Sequence, residues 1–411
     1  MESNITPIKF RSETENRKRR RQTAGGFLSM DFPLFFTVIA ISLFGLVMLF
    51  SASYYKGMSE HQDGYFFVKN QAVYLAAGIA AMFGISFIPY KIYRNRFVLI
   101  AAYLIMIGLL LMARFMGKSV LGAQRWIVIG RFSFQPSEIV KFILIVCIAA
   151  YMSRYAKHMH KFFYGIVVVL LIIMLPAFLI YIQPNMSMLI IVCIVTFLMM
   201  FMGGASWKQL LLMGIVAGAA IVVLIFAAGY RSNRVTAWQH PWDDPLNGSY
   251  QIVQSLYAFG NGGLLGQGLD ASRQKLLFLP EMENDYILAI IAEELGFVGV
   301  VCLLLAYAFV IYRGIRIALS VKDRFAALVA GGISCTLAVQ VLVNVAVVTN
   351  SIPATGQTLP FISAGGSSLL VFLGAIGVLL NISRYATRKR APLFPKKLRP
   401  AENTAEPAAQ Q

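Results

Sequence analysis

Apolar residues fill run after run of roughly 18 to 25 positions along most of this chain, each long enough to cross about 30 Å of hydrocarbon. Polar residues gather between the runs instead of alternating within them. That pattern predicts an all-α polytopic membrane protein of about ten transmembrane helices, at 31–52, 70–89, 97–116, 136–153, 163–182, 186–204, 208–229, 286–312, 325–349 and 367–386. A large outer loop, about 230–285, separates the seventh helix from the eighth. Connections usually span about 4 to 6 residues, and loops this much longer are functional or disordered. Here order is expected, because Trp238, Trp242, Tyr250 and Tyr257 suit a membrane interface and the glycines of 258–268 supply backbone freedom.

An even number of spans places both ends of the chain on one side. Residues 1–28, with Lys9, Arg11 and the run Arg17 to Arg21, and residues 389–411, rich in Pro, Ala and Lys, are expected to be disordered cytoplasmic tails flanking a 29–388 membrane domain. The first lacks the small-residue cleavage pattern of a signal peptide. The positive-inside rule agrees for the inner connections, which carry Lys91, Arg94 and Arg96; Arg154, Lys157 and Lys161; Lys208; and Arg313, Arg316, Lys322 and Arg324. Two outer connections break it. The third-to-fourth carries Arg114, Lys118, Arg125 and Arg131, and the seventh-to-eighth carries Arg231, Arg234, Arg273 and Lys275. An anionic ligand explains such cations better than topology does, the plainer alternative being solvated charge paired with Asp243, Asp244 or Glu281.

Composition removes other classes. With 58% hydrophobic and 13% charged residues the chain falls far from soluble domains, where charge is nearer roughly 25%. The net charge of +18 sits in the tails and short connections, which reads as topology and not as nucleic-acid binding. Cys147, Cys193, Cys302 and Cys335 lie inside apolar runs and act as small hydrophobes. His61, His158, His160 and His240 have no metal-ligand spacing, and neither a Ser-His-Asp pattern nor a Walker loop is present.

The candidate chemistry concentrates in LPEMENDYILAIIAEELGF, 279–297, where an acidic cluster directly precedes a membrane span. Asp285 stands where water meets lipid, and an ionisable group there is a functional-site candidate, with simple helix capping as the alternative. Glu293 lies about 80° round the helix and roughly 12 Å deeper, while Glu294 is on the opposite face roughly 14 Å deeper, so the glutamates cannot share the role of Asp285. Glu294 is expected to be structural. In 122–141, GAQRWIVIGRFSFQPSEIVK, Pro136 and Ser137 mark a helix start and Glu138 and Lys141 share one face. Arg125, Trp126, Glu138 and Lys141 are candidates for substrate contact or for orienting the fourth span. The loop 349–368, TNSIPATGQTLPFISAGGSS, is a shaped connection whose hydroxyls, Ser363 and Ser367 among them, could line a polar cavity.

These motifs, with RVTAWQHPWDDP, GSYQIVQSLYAFGNGGLLGQGL and SRQKLLFLPE, resemble the SEDS family (shape, elongation, division and sporulation) over about 31–386. SRQKLLFLPE is closer to the division and sporulation branch, the FtsW and SpoVE type, than to the RodA type. The resemblance implies ten spans in the bacterial cytoplasmic membrane, cytoplasmic termini and an outward catalytic loop. It also implies a peptidoglycan glycosyltransferase that polymerises lipid II in division or sporulation septa, working beside a class B penicillin-binding protein and other divisome membrane proteins. Four positions depart from the family: Glu283 and Asn284 replace a His-Thr pair, Asn185 replaces an aspartate, and Asp270 replaces a glycine.

Glycosyl transfer needs a base for the acceptor hydroxyl and positive charge for the departing pyrophosphate. On this resemblance Asp285 is the expected base, and Arg125, Arg231 and Lys275 are expected to hold phosphates. A divalent cation, Mg or Mn, is an open addition without a dedicated cage in the sequence. A lipid II flippase or transporter and a division scaffold are the competing readings. Transport would favour charge deep in the bundle, whereas here it gathers at the outer rim.

Overall fold

Helix α1 (Phe32–His61) begins behind Asp31, whose carboxylate accepts the Leu34 N–H at 3.1 Å, with proline in the first turn where its missing N–H costs nothing. The computed structural model describes residues 29–120, 123–129, 132–226 and 229–386, so the expected tails lie outside the described residues. Beyond α1 come α2 (Phe66–Phe87), α3 (Arg96–Met116), α4 (Pro136–Arg154), α5 (Val168–Ile182), α6 (Met186–Met202) and α7 (Trp207–Phe226). The order closes with α8 (Gly229–Gln239), α9 (Tyr250–Gly262), α10 (Ile287–Ser320), α11 (Arg324–Val348) and α12 (Gly366–Ser383).

The chain is a multi-pass membrane protein. Among the described residues, eight helices are long and apolar enough to span a bilayer: α1 to α4, α5 with its preceding turn, and α10 to α12. Shorter apolar helices, Met186–Met202 and Trp207–Ala219, occupy the sixth and seventh predicted positions. Helix α11 lies at the centre, packed on α4, α6, α10 and α12.

Polar contacts sort the helix ends into two layers. At one end the Arg313 guanidinium holds both carboxylate oxygens of Asp31 at 2.7 and 2.6 Å, the Asp31 N–H reaches Ser383 Oγ, and Tyr90 donates to Asp323 at 3.0 Å. Residues near the two ends of the described helical bundle therefore meet. The acidic segment before α10 gathers at the other end with the start of α12 and the last turns of α1 and α11.

Three features add to what the sequence predicts. The third-to-fourth connection is not purely helical: β1 (Lys118–Val120), β2 (Ala123–Ile129) and β3 (Phe132–Phe134) form an antiparallel sheet in that order, with Ile127 opposite Phe134 and Ile129 opposite Phe132. The large outer segment contains α8 and α9. Finally, α10 runs well past 312 and breaks at Gly296, whose φ of 66° is outside the helical range.

Candidate functional site

Asp285 is half-buried immediately before Tyr286, the N-cap residue of α10, which makes no side-chain capping bond. Asp285 is thus set back from the capping position, contrary to the capping alternative. Asn344 of α11 fixes the backbone: its Nδ2 donates to the carbonyls of Asp285 and Gln357, both at 2.8 Å. Gly356 turns the α11–α12 loop beside Asp285 at φ 67°, a conformation that favours glycine, and a Cβ there would make ordinary contact, 3.6 Å from Asp285 Oδ2. Burial pushes the Asp285 carboxyl up to about 7; Glu281 and Glu283 add to this, and Arg234 opposes it. Arg234 itself donates to the carbonyl of Ala354 at 2.9 Å, which docks α8 on the same loop. On the segments that meet here, Tyr286 OH, Asn344 Oδ1, Thr355 Oγ1 and Gln357 Oε1 are buried without a protein hydrogen-bond partner. Buried oxygens of this kind are normally satisfied, so a cluster of them suits a polar ligand.

Two of the departures from the family pattern lie beside Asp285. Glu283 is buried and receives Lys56 Nζ of α1 at 2.5 Å, with Glu281 3.7 Å from the same ammonium. Asn284 donates to Glu281 at 2.5 Å and to Glu283 at 3.4 Å. Burial raises the Glu283 carboxyl, against the pull of Lys56.

Deeper along α10 is a separate charged layer. Lys275 is buried, and its ammonium is shared by Asp270, by Glu294 at 3.1 Å and by Ser51 at 3.1 Å. Glu294 is structural, as its helical position suggested, and Lys275 is committed to carboxylates instead of facing Asp285. Asp270, another departure, adopts a positive φ of 66° and its side chain meets Lys275. Glu293 receives Ser272 Oγ, the Gln274 N–H at 3.2 Å and Asn261 Nδ2 at 3.3 Å, which ties the outer segment to the helix.

The remaining candidates separate into two groups. Glu138 and Lys141 do pair, at 2.9 Å, fully inside the bundle; Lys141 also donates to Gln340 at 2.6 Å and lies 4.6 Å from the Phe372 ring centre. Gln340 in turn donates to Thr358 at 3.1 Å, so this pair and Asp285 bear on the same α11–α12 loop. Ser363 Oγ accepts the Leu359 N–H at 2.8 Å within that loop, while Ser367 Oγ, in the first turn of α12, accepts the Gln135 N–H at 3.3 Å and ties α12 to the start of α4. Arg125 donates from Nε to the carbonyl of Gln183 at 3.0 Å and from Nη2 to that of Pro184, at the carboxyl end of α5. Trp126 is half-buried on β2 beside it. Asn185 caps α6 and donates to Ser137 at 3.3 Å. The side chain of Arg231 lies outside the described residues. Among those described, no group of three or more His, Cys, Asp or Glu converges to hold a metal ion.

Sequence reasoning passed over Lys56, Asn344 and Gln357, and gave Arg234 no individual role. Gln340 and Asn344 carried a signal: two amides four residues apart in an apolar span share one helical face. Lys56 carried none, because it lies 227 residues from its partner.

The family model for cell cycle proteins of the FtsW, RodA and SpoVE type matches residues 32–388. Stage V sporulation protein E of Bacillus subtilis is 39% identical over 360 residues, covering 87% of this chain and 98% of that protein. A probable peptidoglycan glycosyltransferase FtsW of Geobacter metallireducens is 36% identical over 353 residues, covering 86% and 94%. Among solved structures, a chain of a peptidoglycan synthase complex superposes with a TM-score of 0.72 at 27% identity, covering 88% of this chain and 100% of that one. Rod shape determining protein RodA of Thermus thermophilus superposes with a TM-score of 0.64 at 25% identity, covering 88% and 99%. With a match across nearly the whole helical bundle and relatives more than one-third identical over almost their full length, this chain belongs to the FtsW, RodA and SpoVE family of cell cycle proteins.

Proposed function

We propose that Asp285 is the general base with which this chain, a peptidoglycan glycosyltransferase, polymerises lipid II. The observation that carries this reading is a carboxyl pushed to about 7 among buried oxygens that lack protein partners. A base is most effective when its proton affinity lies near working pH. The Asp285 carboxylate takes the proton from the GlcNAc 4-hydroxyl of the incoming lipid II. The oxygen then attacks C1 of the reducing-end MurNAc of the growing strand. A C–O bond forms with inversion as the bond from C1 to the pyrophosphate breaks, and undecaprenyl pyrophosphate leaves with the electron pair.

Arg234 is the cation whose charge acts on Asp285, which makes it the first phosphate ligand in this reading. Arg231, one turn earlier on α8, and Arg125 are further phosphate ligands, while Lys275 anchors the outer segment. Trp126, Glu138, Lys141, Ser363 and Ser367 serve by holding β2, α4 and the α11–α12 loop around the sugar. The Asp285 end of the bundle faces outward from the bacterial cytoplasmic membrane, with both termini cytoplasmic, because the acceptor strand lies outside. A class B penicillin-binding protein is the proposed crosslinking partner, among other divisome membrane proteins. Its support is the likeness to a synthase complex that coordinates polymerization and crosslinking.

Purified protein, with and without a transpeptidase partner, should convert labelled lipid II into glycan strands. Asp285→Asn and Asp285→Ala should remove that activity while eluting as folded protein. Normal strands from either variant would eliminate Asp285 as the base.

A further inference from the structure

The segment that presents Asp285 contains two further carboxylates within four residues, the buried Glu283 and the more exposed Glu281, and anions gathered this closely around a buried site are unfavourable without compensation. Lys56 supplies that compensation from a different helix. It reaches Glu283 at 2.5 Å and Glu281 at 3.7 Å, while Glu283 also gives its backbone carbonyl to the Ala364 N–H at 2.8 Å. The pair therefore joins the last turns of α1, the segment before α10 and the α11–α12 loop at one point. Glu283 Oε2 is buried with no protein partner, so its negative charge is neutralised on one side only.

We propose that Lys56 and Glu283 are positioning residues for the transfer reaction: the ammonium holds Glu283 as a compensated neighbour, so that Asp285 exchanges its proton beside an ion pair and not beside a bare anion. The inference rests on Asp285 being the base. Among the described residues, the charged and titratable groups acting on Asp285 are Glu281, Glu283 and Tyr286 on its own segment and Arg234 from α8, with Lys56 from α1 acting through the two glutamates. Asn344 from α11 and Thr355, Gly356 and Gln357 from the α11–α12 loop are neutral.

The signs follow from this arrangement. Glu283→Gln removes an anion that favours the protonated Asp285 and leaves Lys56 as an excess cation. Both effects strengthen the Asp285 carboxylate. Lys56→Met does the opposite, exposing Asp285 to uncompensated glutamate charge. The rate of strand formation from labelled lipid II, measured from pH 5 to 9, reads these shifts as movements of the acidic limb.

Glu283→Gln should move the limb to lower pH by about one unit, Lys56→Met should move it higher, and the double variant should return towards the unsubstituted protein. A limb that stays in place in Glu283→Gln, even with a reduced rate, would reduce the pair to a strut and overturn the proposal. Should Lys56→Met not fold, Glu283→Gln and the double variant carry the same comparison. Asp285→Asn, assayed in parallel, separates the two claims: residual polymerisation there removes the base itself, whereas an inactive Asp285→Asn with an unmoved Glu283→Gln limb removes only the role of the pair.

Discussion

At the scale of single residues, the proposed role of the Asp285 carboxyl makes activity and stability depend on pH in opposite directions. The proposed base must be ionised to act, so the polymerisation rate should rise with pH through about 7 and reach a plateau above it. A rate independent of pH between 5.5 and 8 would contradict that role. Stability runs the other way. Its folded-state value lies above the ordinary aspartate value of 3.8, so between the two the folded protein binds more protons than the unfolded chain and loses stability as pH rises. Asp285→Asn removes the buried charge, and at pH 8 it should melt about 1 to 3 °C higher than the parent while being inactive. Equal or lower melting would mean that the carboxylate is stabilised by contacts beyond those seen. Position and residue type made Asp285 legible in the sequence. The shift was not, because it arises from burial and from Glu281 and Glu283 folded against it.

At the scale of elements, apolar runs were read well because a bilayer imposes a minimum length that sequence displays directly. The sheet was missed although Trp126 to Ile129 and Phe132 to Phe134, β-branched and aromatic around Gly130, carried a hairpin signal. The break in α10 was equally hidden. There the N–H groups of Gln267 and Gly268 donate to the carbonyls of Glu293 and Glu294 at 2.9 and 3.0 Å, and those of Phe297 and Val298 donate to Gly263 and Leu264 at 2.9 and 3.1 Å. The outer segment thus replaces the helical bonds that Gly296 interrupts. Contact this close excludes side chains: a Cβ on Gly266, at φ 81°, would fall 2.2 Å from the Glu294 carbonyl oxygen. Gly266→Val should therefore lower the melting temperature and release the segment to proteolysis. Lys275→Met should cost about 3 to 5 kcal/mol by leaving Glu294 buried without its cation, and Lys275→Met with Glu294→Leu should recover much of that loss. Melting curves of the three variants check both claims, and an undiminished melting temperature in Lys275→Met would refute the second.

At the scale of the whole molecule, the charge distribution and the helix packing are consistent with the proposed orientation. Arg313 with Asp31, Arg94 with Asp323 at 3.5 Å, and Arg324 with the Gly203 carbonyl at 2.6 Å gather at one end, the end where positive charge was expected inside. The opposite end also carries cations, but Lys56 and Lys275 are held by carboxylates and Arg125 by backbone carbonyls. Paired in this way, they oppose translocation less than free charges would, so the sequence exception and the proposed outward site are compatible. This orientation predicts how a membrane-impermeant maleimide should react with intact cells. In a background lacking Cys147, Cys193, Cys302 and Cys335, Asp243→Cys on the exposed outer segment should label from outside, whereas Lys91→Cys should label only after the membrane is opened. The reverse pattern would place Asp285 on the cytoplasmic side, away from any extracellular glycan strand, and the proposed reaction could not occur there.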